Sequence, residues 1–538
     1  MSEQRDKSAT EEFLNGTRVT RRQVVKGAAA IGGLAALGPL ASACGGGDEE
    51  TDTGASPTAA PKQGGSLRVG IVGGSAKDTA DPHFAAFEPD ISLGYILHEG
   101  LTGYDFEGNL INKMCETIEA NDDATVWQVT LRDGLTWHDG KPVTADDIVF
   151  TYERILDPKN PGSGAPTLAG LKPGGTVKTG DLTAEFRLNT PNVLLPELLA
   201  FRGCAMVPVD YDPKKPVGSG AFKLTEFKPG EQFKFLPFAE YREGAPYVDD
   251  LTVIEFADEG ARVNALLGGD VEAISQLPTA QTGVIEGAGM NVLNAETGGW
   301  RPFTMRIDQK PFDDVRVRQA FRLIVDRQQM IDQAYAGFGS VANDMYGRFD
   351  PGLPDLPQRE QDLEQAKSLL KQAGYDGDLT VELVTSAGAL GADEVSAAQV
   401  FAEQAKGAGV NVKLKKVDSG VFYGEDYLSW TFAQDFWSTR GYLSQASQGA
   451  TPDAPYNETH WDHPEWLALI NKAFATVDDD ERNALIAQAA EIEYNEGGYI
   501  IWAWRNQVCA YSNTITGLKG DPMGYWLGRC YFKDVYFV

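Results

Sequence analysis

The sequence is short of basic residues. Its 47 lysines and arginines stand against 77 aspartates and glutamates, which gives a formal net charge of −30. Nucleic-acid binding depends on lysines and arginines that neutralise phosphates, so this balance excludes a nucleic-acid partner. The charge favours solubility but does not identify a small ligand, because a ligand responds to the local field of its own site.

Histidine is scarce, with five residues in the chain. Two of them lie in residues 460–463 (His-Trp-Asp-His), where two imidazoles and a carboxylate are candidate metal ligands. The segment lacks the helical spacing that makes zinc motifs specific, and the sequence shows no third ligand. We therefore interpret it as a loop that leads into a helix at Pro464, and we predict neither a metal nor another cofactor.

Catalytic motifs are missing from the sequence. It contains no Gly-x-Ser-x-Gly elbow, phosphate-binding loop or zinc-protease motif. Residues 218–220 (Gly-Ser-Gly) lack the flanking residues of an elbow. Scattered carboxylates carry little information in so acidic a chain. We predict that the protein is not an enzyme, and a secreted hydrolase is the alternative.

Long apolar runs are also missing, except near the N-terminus. Residues 27–43 are apolar and uncharged, and Arg21, Arg22 and Lys26 precede them. The run is shorter than the roughly 20 residues needed to span a bilayer. A basic segment, a modest apolar segment and small residues describe a signal peptide over residues 1–43. The arginine pair resembles the twin-arginine type of signal, which usually carries folded proteins.

Residues 40–44 (Leu-Ala-Ser-Ala-Cys) resemble the cleavage box of a bacterial lipoprotein, with Cys44 as the acylated first residue. Ala41 departs from the usual leucine, and the alternative is an ordinary Cys44 after a simple signal peptide. Residues 44–64 are rich in glycine, acidic and small polar residues, which predicts a flexible linker. We expect an exported protein anchored to the outer face of the cytoplasmic membrane, on the periplasmic side of the cell envelope.

Four further cysteines follow in the exported part, and they make no metal-site pattern: Cys115, Cys204, Cys509 and Cys530. An even number of cysteines in an exported protein permits two disulfides. The sequence leaves their connectivity open.

The exported chain is longer than the chains that fold around a single hydrophobic core, so two or more domains are expected. Residues 65–72 and 125–131 alternate like strands, and a helix is expected to begin at Thr144. Residues 507–538 are again strand-like and aromatic, and could return to complete the first body.

Helices are predicted in the second half after Asp314, over 360–373 and over 482–494, the last capped by Asp478. Residues 379–384 (strand), 394–406 (helix) and 410–417 (strand) form a parallel crossover unit, and 429–434 a further strand of the same sheet. The sequence therefore predicts two α/β bodies.

Four motifs, in order along the chain, resemble the extracellular solute-binding proteins of family 5, the oligopeptide, dipeptide and nickel type of ABC-transporter substrate-binding protein. They are residues 98–105 (His-Glu-Gly-Leu-Thr-Gly-Tyr-Asp), 131–148 (from Leu-Arg-Asp-Gly-Leu-Thr-Trp-His-Asp-Gly), 218–222 (Gly-Ser-Gly-Ala-Phe), and 310–321 followed by Asp326 and Arg327. The resemblance covers essentially the whole exported chain.

The resemblance implies an α/β, two-lobed periplasmic-binding-protein-like fold of type II, with a hinged cleft and an extra subdomain in lobe one. It implies lobe one at 65–297 with the extra subdomain at about 96–214, lobe two at 298–505, and a return to lobe one at 506–538. It also implies the substrate-binding component of an ABC importer. Such a monomer captures a peptide or peptide-like solute and delivers it to a permease by closing around it. A sensory or adhesive lipoprotein on the same fold is an alternative.

The loop after the strand ending near Gln434 is the main candidate for ligand binding, because ligands of open α/β sheets lie beyond the carboxyl ends of strands. Asp435 suits a ligand ammonium and Arg440 a ligand carboxylate. Flat walls could come from the aromatic residues Phe436, Trp437 and Tyr442. The family has an Asp-Tyr-Pro-Asp-Pro loop here, and the departure favours a small carboxylate-bearing ligand. The alternative is that Asp435 and Arg440 pair with each other or with neighbours, while Trp437 is core.

Other candidates lie outside that loop. Trp300 and Arg301, at the crossing into lobe two, could form a second wall, or pack in the core. Tyr95, Glu99 and Tyr104 are candidates on the facing lobe. Dipeptide, longer peptide, opine-like conjugate and sugar remain open as ligands.

Overall fold

The computed structural model describes residues 61–538. The predicted signal peptide, with Arg21 and Arg22, and the predicted lipid-anchor residue Cys44 lie outside the described residues.

The strands, numbered in chain order, are β1 (Ser66–Val72), β2 (Thr102–Tyr104), β3 (Leu110–Asn112), β4 (Cys115–Ala120), β5 (Val126–Leu131), β6 (Leu171–Lys178), β7 (Thr183–Leu188), β8 (Phe222–Lys228), β9 (Gln232–Pro237), β10 (Asp250–Phe256), β11 (Ala273–Ile274), β12 (Asn291–Ala295), β13 (Phe303–Met305), β14 (Gly339–Val341), β15 (Leu379–Thr385), β16 (Val410–Lys416), β17 (Phe432–Gln434), β18 (Tyr499–Ile500), β19 (Ala503–Arg505), β20 (Gln507–Tyr511), β21 (Ile515–Thr516) and β22 (Tyr536–Phe537).

The α-helices are α1 (Glu88–Leu97), α2 (Ala145–Ile155), α3 (Leu195–Leu199), α4 (Glu259–Gly268), α5 (Thr282–Gly287), α6 (Val315–Ile324), α7 (Arg327–Ala334), α8 (Leu363–Gln372), α9 (Ala387–Leu390), α10 (Ala392–Lys406), α11 (Ser419–Phe422), α12 (Tyr442–Gly449), α13 (Pro464–Phe474) and α14 (Asp479–Glu496). Short 3-10 helices lie at Pro82–Phe84, Arg202–Cys204, Thr279–Gln281 and Trp526–Gly528.

A seven-stranded sheet has the order β12-β20-β11-β1-β10-β9-β8. Its first strand, β1, runs parallel to β10 and β11. Strand β20 returns from the C-terminal part of the chain and pairs antiparallel with β11 and β12. The sheet is therefore completed by residues far apart in sequence, and its core holds Leu67, Val69, Leu251 and Val253.

A four-stranded antiparallel sheet, β4-β5-β7-β6, has a separate core. Trp127, Val129 and Leu131 of β5 are all buried in it, as their alternation predicts. Helix α2 begins after Thr144, as expected, because the Asp147 carboxylate accepts the Thr144 N–H at 2.8 Å. This local cap sets where the helix begins, and Ile148, Tyr152 and Ile155 pack it into the core of the sheet.

A five-stranded sheet has the order β16-β15-β17-β13-β18. Strands β15 and β16 are parallel and joined through α10, which confirms the predicted crossover. Strand β17 joins the same sheet but starts at Phe432, later than the predicted 429, because a turn closes from Ser429 N–H to the Asp426 carbonyl at 2.9 Å. Helix α8 starts at Leu363 instead of 360, because Asp362 caps it by accepting from Gln365 N–H at 2.8 Å. The division of the chain into lobe one (65–297 and 506–538) and lobe two (298–505) stays a prediction.

The four described cysteines, Cys115, Cys204, Cys509 and Cys530, are free and buried. The two disulfides that their even number permits are not formed among residues 61–538. Burial raises the pKa of Cys509 to about 11.

The histidine-containing loop leads into a helix, as interpreted. His463 is the N-cap of α13, and its ring accepts from the Trp466 N–H at 3.2 Å. Across residues 61–538, no helix is both long enough and apolar enough to cross a bilayer. Nor does this part of the chain hold a group of three histidine, cysteine or carboxylate residues suited to a metal ion.

Candidate ligand-binding cavity

A cavity of about 510 Å³ lies where the bodies of the three sheets approach one another. Its lining comes from α1 and β2, from residues 197–205, from the loop after β17, and from residues 519–534. This volume is in the range of about 300–1,000 Å³ that encloses small molecules. We take it as the candidate site.

Aromatic side chains form one wall of the cavity. Tyr95, on α1, meets Tyr525 edge-on with ring centroids 5.0 Å apart, and both line the cavity. Tyr104, on β2, also lines it. Burial, then the nearby Glu197 carboxylate, raise the pKa of Tyr104 above its ordinary value, so its hydroxyl stays a hydrogen-bond donor.

Glu99 lines the cavity, but its carboxylate is already bound by the protein. Arg242 holds it through two contacts, at 2.7 Å and 3.2 Å, and the Tyr241 hydroxyl donates to it at 3.0 Å. A carboxylate held in this way shapes the wall and is poorly placed to take a ligand ammonium.

Arg440 reaches the cavity from the loop after β17. Its guanidinium lies over the Trp437 ring, 5.1 Å from the centroid, and its Nη1 is buried with no hydrogen-bond partner among the described residues. The loop is fixed next to it, because the Thr439 hydroxyl donates to the Pro522 carbonyl at 2.8 Å and accepts from Gly298 N–H at 2.9 Å. Arg440 is therefore a positioned cation with unused donors.

Asp435 is buried outside the cavity lining. Its carboxylate accepts from the Tyr423 hydroxyl at 3.1 Å and from Phe436 N–H at 2.8 Å. Burial raises its pKa. Asp435 lies beside Glu458 and does not pair with Arg440, so the structure separates the two charges that the sequence analysis grouped together.

Three predicted wall residues lie in the hydrophobic core and not on the cavity lining. Trp300 and Trp437 exchange backbone hydrogen bonds at 2.9 and 3.0 Å, and their rings stack with centroids 6.0 Å apart. This pairing aims the Trp437 side chain inward. Tyr442 is fully buried and donates to the Glu493 carboxylate at 2.7 Å. Trp300 and Trp437 thus have the core packing that was the alternative for them, and Tyr442, predicted only as a wall residue, lies in the core as well.

Arg301 and Phe436 also lie outside the lining and contact each other. The Arg301 guanidinium is 5.1 Å from the Phe436 ring centroid, and its Nε is 3.9 Å from the Glu394 carboxylate. Phe436 is 45% exposed, since the residue next to an inward-facing Trp437 faces the other side.

Several charged residues of the lining, among them Glu197 and Arg202, do not belong to the site residues predicted from the sequence. Burial, and then repulsion by Asp350, raise the pKa of Glu197 to about 6. Arg202 lies against the Phe201 ring at 4.8 Å. No local pattern marks either residue, because each is brought to the cavity by tertiary packing. The assembled cavity has the chemistry to enclose an organic solute between aromatic walls and to meet an anionic group with guanidinium donors.

Comparison with known proteins gives a consistent picture. Residues 109–454 match the family model described as "Bacterial extracellular solute-binding proteins, family 5 Middle". The oligopeptide-binding protein AppA of Bacillus subtilis is 28% identical over 413 residues, covering 72% of this chain and 75% of AppA. The glutathione-binding protein GsiB of Pectobacterium atrosepticum is 25% identical over 477 residues, covering 84% of this chain and 91% of GsiB.

A solved structure shares the fold. The ABC transporter substrate-binding protein CtaP of Listeria monocytogenes superposes with a TM-score of 0.77 at 23% identity, covering 88% of this chain and all of that one (100%). This likeness confirms the predicted fold class.

Proposed function

Because the chain belongs to the bacterial extracellular solute-binding proteins of family 5, we propose that it is the substrate-binding component of an ABC importer. In this role it captures a peptide or peptide-like solute outside the cytoplasm and passes it to a membrane permease. The observation that carries the proposal is the cavity of about 510 Å³, into which Arg440 brings a guanidinium with an unpartnered nitrogen.

A short peptide or a peptide-like carboxylate suits this cavity. Its volume matches a small organic molecule and not a long polymer. Tyr95, Tyr104 and Tyr525 offer flat, partly polar walls, and Arg440 offers a planar fork for a carboxylate. Two relatives bind an oligopeptide and glutathione by name, which supports a ligand of this class. In this proposal the ligand contacts are Arg440, Tyr95 and Tyr104, whereas Asp435 and Trp437 support the loop.

The proposed mechanism is closure without chemistry. Arg440 follows β17 of the five-stranded sheet, whereas Tyr95 and Tyr104 belong to elements that pack with the other two sheets. A solute that touches both sides binds the closed arrangement more tightly than an open one, and so shifts the population towards it. The closed form is the state that would dock to the permease.

Export and anchoring complete the proposal. The twin arginines Arg21 and Arg22 would direct export, and Cys44 would carry the lipid that holds a monomer at the outer face of the cytoplasmic membrane. Labelled palmitate supplied to expressing cells should enter the wild-type protein and not a Cys44→Ser variant.

The proposed function is tested with a library of tripeptides and native mass spectrometry on the full protein in mild detergent. We expect one or a few peptides to be retained at one molecule per chain, with no change in their mass after long incubation. Steady conversion of a retained compound to product would contradict the proposal. So would the absence of any retained solute from peptide, conjugate and sugar libraries.

A further inference from the structure

Arg202 and Arg440 each bring an unpaired guanidinium nitrogen to the cavity. Both line it, and each has a guanidinium nitrogen that is buried without a hydrogen-bond partner in residues 61–538: Nε of Arg202 and Nη1 of Arg440. A buried charged donor without an acceptor is costly, because its lost hydration is not replaced. The chain has 77 acidic residues, yet no carboxylate of the described residues accepts a hydrogen bond from either of these two nitrogens.

The two arginines come from segments that adjoin different sheets. Arg202 opens the 3-10 helix Arg202–Cys204, whose Cys204 packs in the core of the four-stranded sheet. Arg440 follows β17 of the five-stranded sheet. The segments that carry them nevertheless meet, because Glu197, five positions before Arg202, accepts the N–H of Gly441, the residue after Arg440, at 3.3 Å. The fold thus holds two like charges together without neutralising either one fully.

Glu197, a carboxylate that also lines the cavity, is already used elsewhere. It accepts the Gly441 N–H at 3.3 Å, and the Ser444 hydroxyl lowers its pKa, against the larger effect of burial. The attraction of Glu197 raises the pKa of Arg440, but burial lowers that pKa by more. Positive charge therefore remains at this side of the cavity.

Each guanidinium also lies over an aromatic ring. Arg202 lies 4.8 Å from the Phe201 centroid, and Arg440 lies 5.1 Å from the Trp437 centroid. Stacking fixes the plane of an arginine and leaves its edge donors free for a planar acceptor. Because the donors are set before the ligand arrives, little conformational entropy is lost on binding.

We propose that Arg202 and Arg440 form a two-arginine clamp that receives a carboxylate of the transported solute from both sides of the cavity. This inference rests on the proposed function and narrows it to acidic solutes, so that neutral sugars and amidated peptides are excluded as tight ligands. Arg202, which no local sequence pattern marks, becomes a specificity residue equal to Arg440. Since the clamp draws on two sheets, the carboxylate itself favours closure.

The test compares a tripeptide library with free C-termini against the same library with C-terminal amides, at constant ionic strength. Full-length wild type, Arg202→Gln, Arg440→Gln and the double variant are measured by native mass spectrometry. Arg187→Gln is the matched control, because Arg187 pairs with Glu185 on the four-stranded sheet outside the cavity lining. We expect wild type and the control to prefer acids over amides by at least about tenfold, and each clamp variant to lose that preference.

Each other outcome has a defined meaning. Equal binding of acids and amides by wild type, or a preference kept in both Gln variants, would overturn the clamp while solute binding stands. Failure of every peptide to bind wild type would overturn the clamp for peptide carboxylates, and failure of the conjugate and sugar libraries as well would overturn the proposed function. Displacement of the acids by inorganic phosphate, with no preference over amides, would overturn the carboxylate assignment. The melting temperatures of the ligand-free Gln variants should equal or exceed that of wild type, because repulsion is relieved, and this excludes misfolding as the cause of lost binding.

Discussion

Glu197 and Gly441 are joined by a hydrogen bond between segments 244 positions apart in the chain, with the carboxylate accepting the backbone N–H at 3.3 Å. The contact links α3, beside the four-stranded sheet, to the residue that precedes α12. A second bond, from Val193 N–H to the Phe474 carbonyl at 3.0 Å, joins the segment before α3 to the end of α13. Ligand capture by closure must work with these contacts already in place, and Glu197 itself lines the cavity.

The first prediction concerns the pH dependence of stability through Glu197. Burial and repulsion raise its pKa from the ordinary 4.5 to about 6, so the folded state holds a proton that the unfolded state loses. The free energy of unfolding should therefore fall as pH rises from about 4.5 to 6, and Glu197→Gln should reduce that fall by roughly 1–2 kcal/mol at pH 7. Glu88 and Glu493, whose pKa values burial raises to about 7, should keep the rest of the fall in the variant. Urea denaturation at pH 4.5, 6 and 7.5 checks it. Equal pH slopes for wild type and variant would contradict it.

Much of the fold could be predicted because its signals are local. The alternation in β5, the Asp314 cap of α6 and the spacing of the β15–α10–β16 crossover each lie within a short stretch of sequence. The observed end of an element differs from the predicted end where one side chain decides the cap. At the start of α8, for example, Asp362 is the capping residue.

The site could be predicted only in part. Arg440 was singled out by its charge in a loop after a strand, and it lines the cavity. Trp437 was grouped with it, but pairing with Trp300 sends that ring into the core, and a partner 137 positions earlier in the chain cannot be inferred from the loop alone. Arg202 carries no local signal, because only tertiary packing brings it to the cavity that Arg440 also lines.

Trp437 should matter for stability more than for direct ligand contact. It is 5% exposed and stacks on Trp300. Trp437→Ala should lower the free energy of unfolding by about 3–5 kcal/mol, since it leaves a cavity in the core. The neighbouring Phe436→Ala is the matched control, because Phe436 is 45% exposed, and it should cost no more than about 1 kcal/mol. A small loss for Trp437→Ala would show that the ring is not core.

The Glu99–Arg242 pair should behave as a structural unit. Their two contacts, at 2.7 and 3.2 Å, are partly buried, so a double-mutant cycle with Glu99→Gln and Arg242→Gln should give a coupling energy of about 1–2 kcal/mol. Glu99→Gln alone should change the affinity for a retained peptide by less than about tenfold. A larger loss would mean that Glu99 binds the ligand ammonium directly. Calorimetric titration and urea denaturation measure the two effects separately.

The last prediction follows from the free, buried cysteines. Four thiols, Cys115, Cys204, Cys509 and Cys530, lie in the described chain, and burial raises the pKa of each, so neither exposure nor thiolate character favours reaction. A thiol reagent should therefore leave these four unmodified in the folded, exported protein. In denaturant without reductant it should titrate four thiols if Cys44 is lipid-modified, and all five cysteines if Cys44 is free. A Cys44→Ser variant, which should give four in either case, is the control. A count that falls to zero or two in that variant, and is restored by reductant, would mean that disulfides form in the oxidising environment outside the cytoplasm.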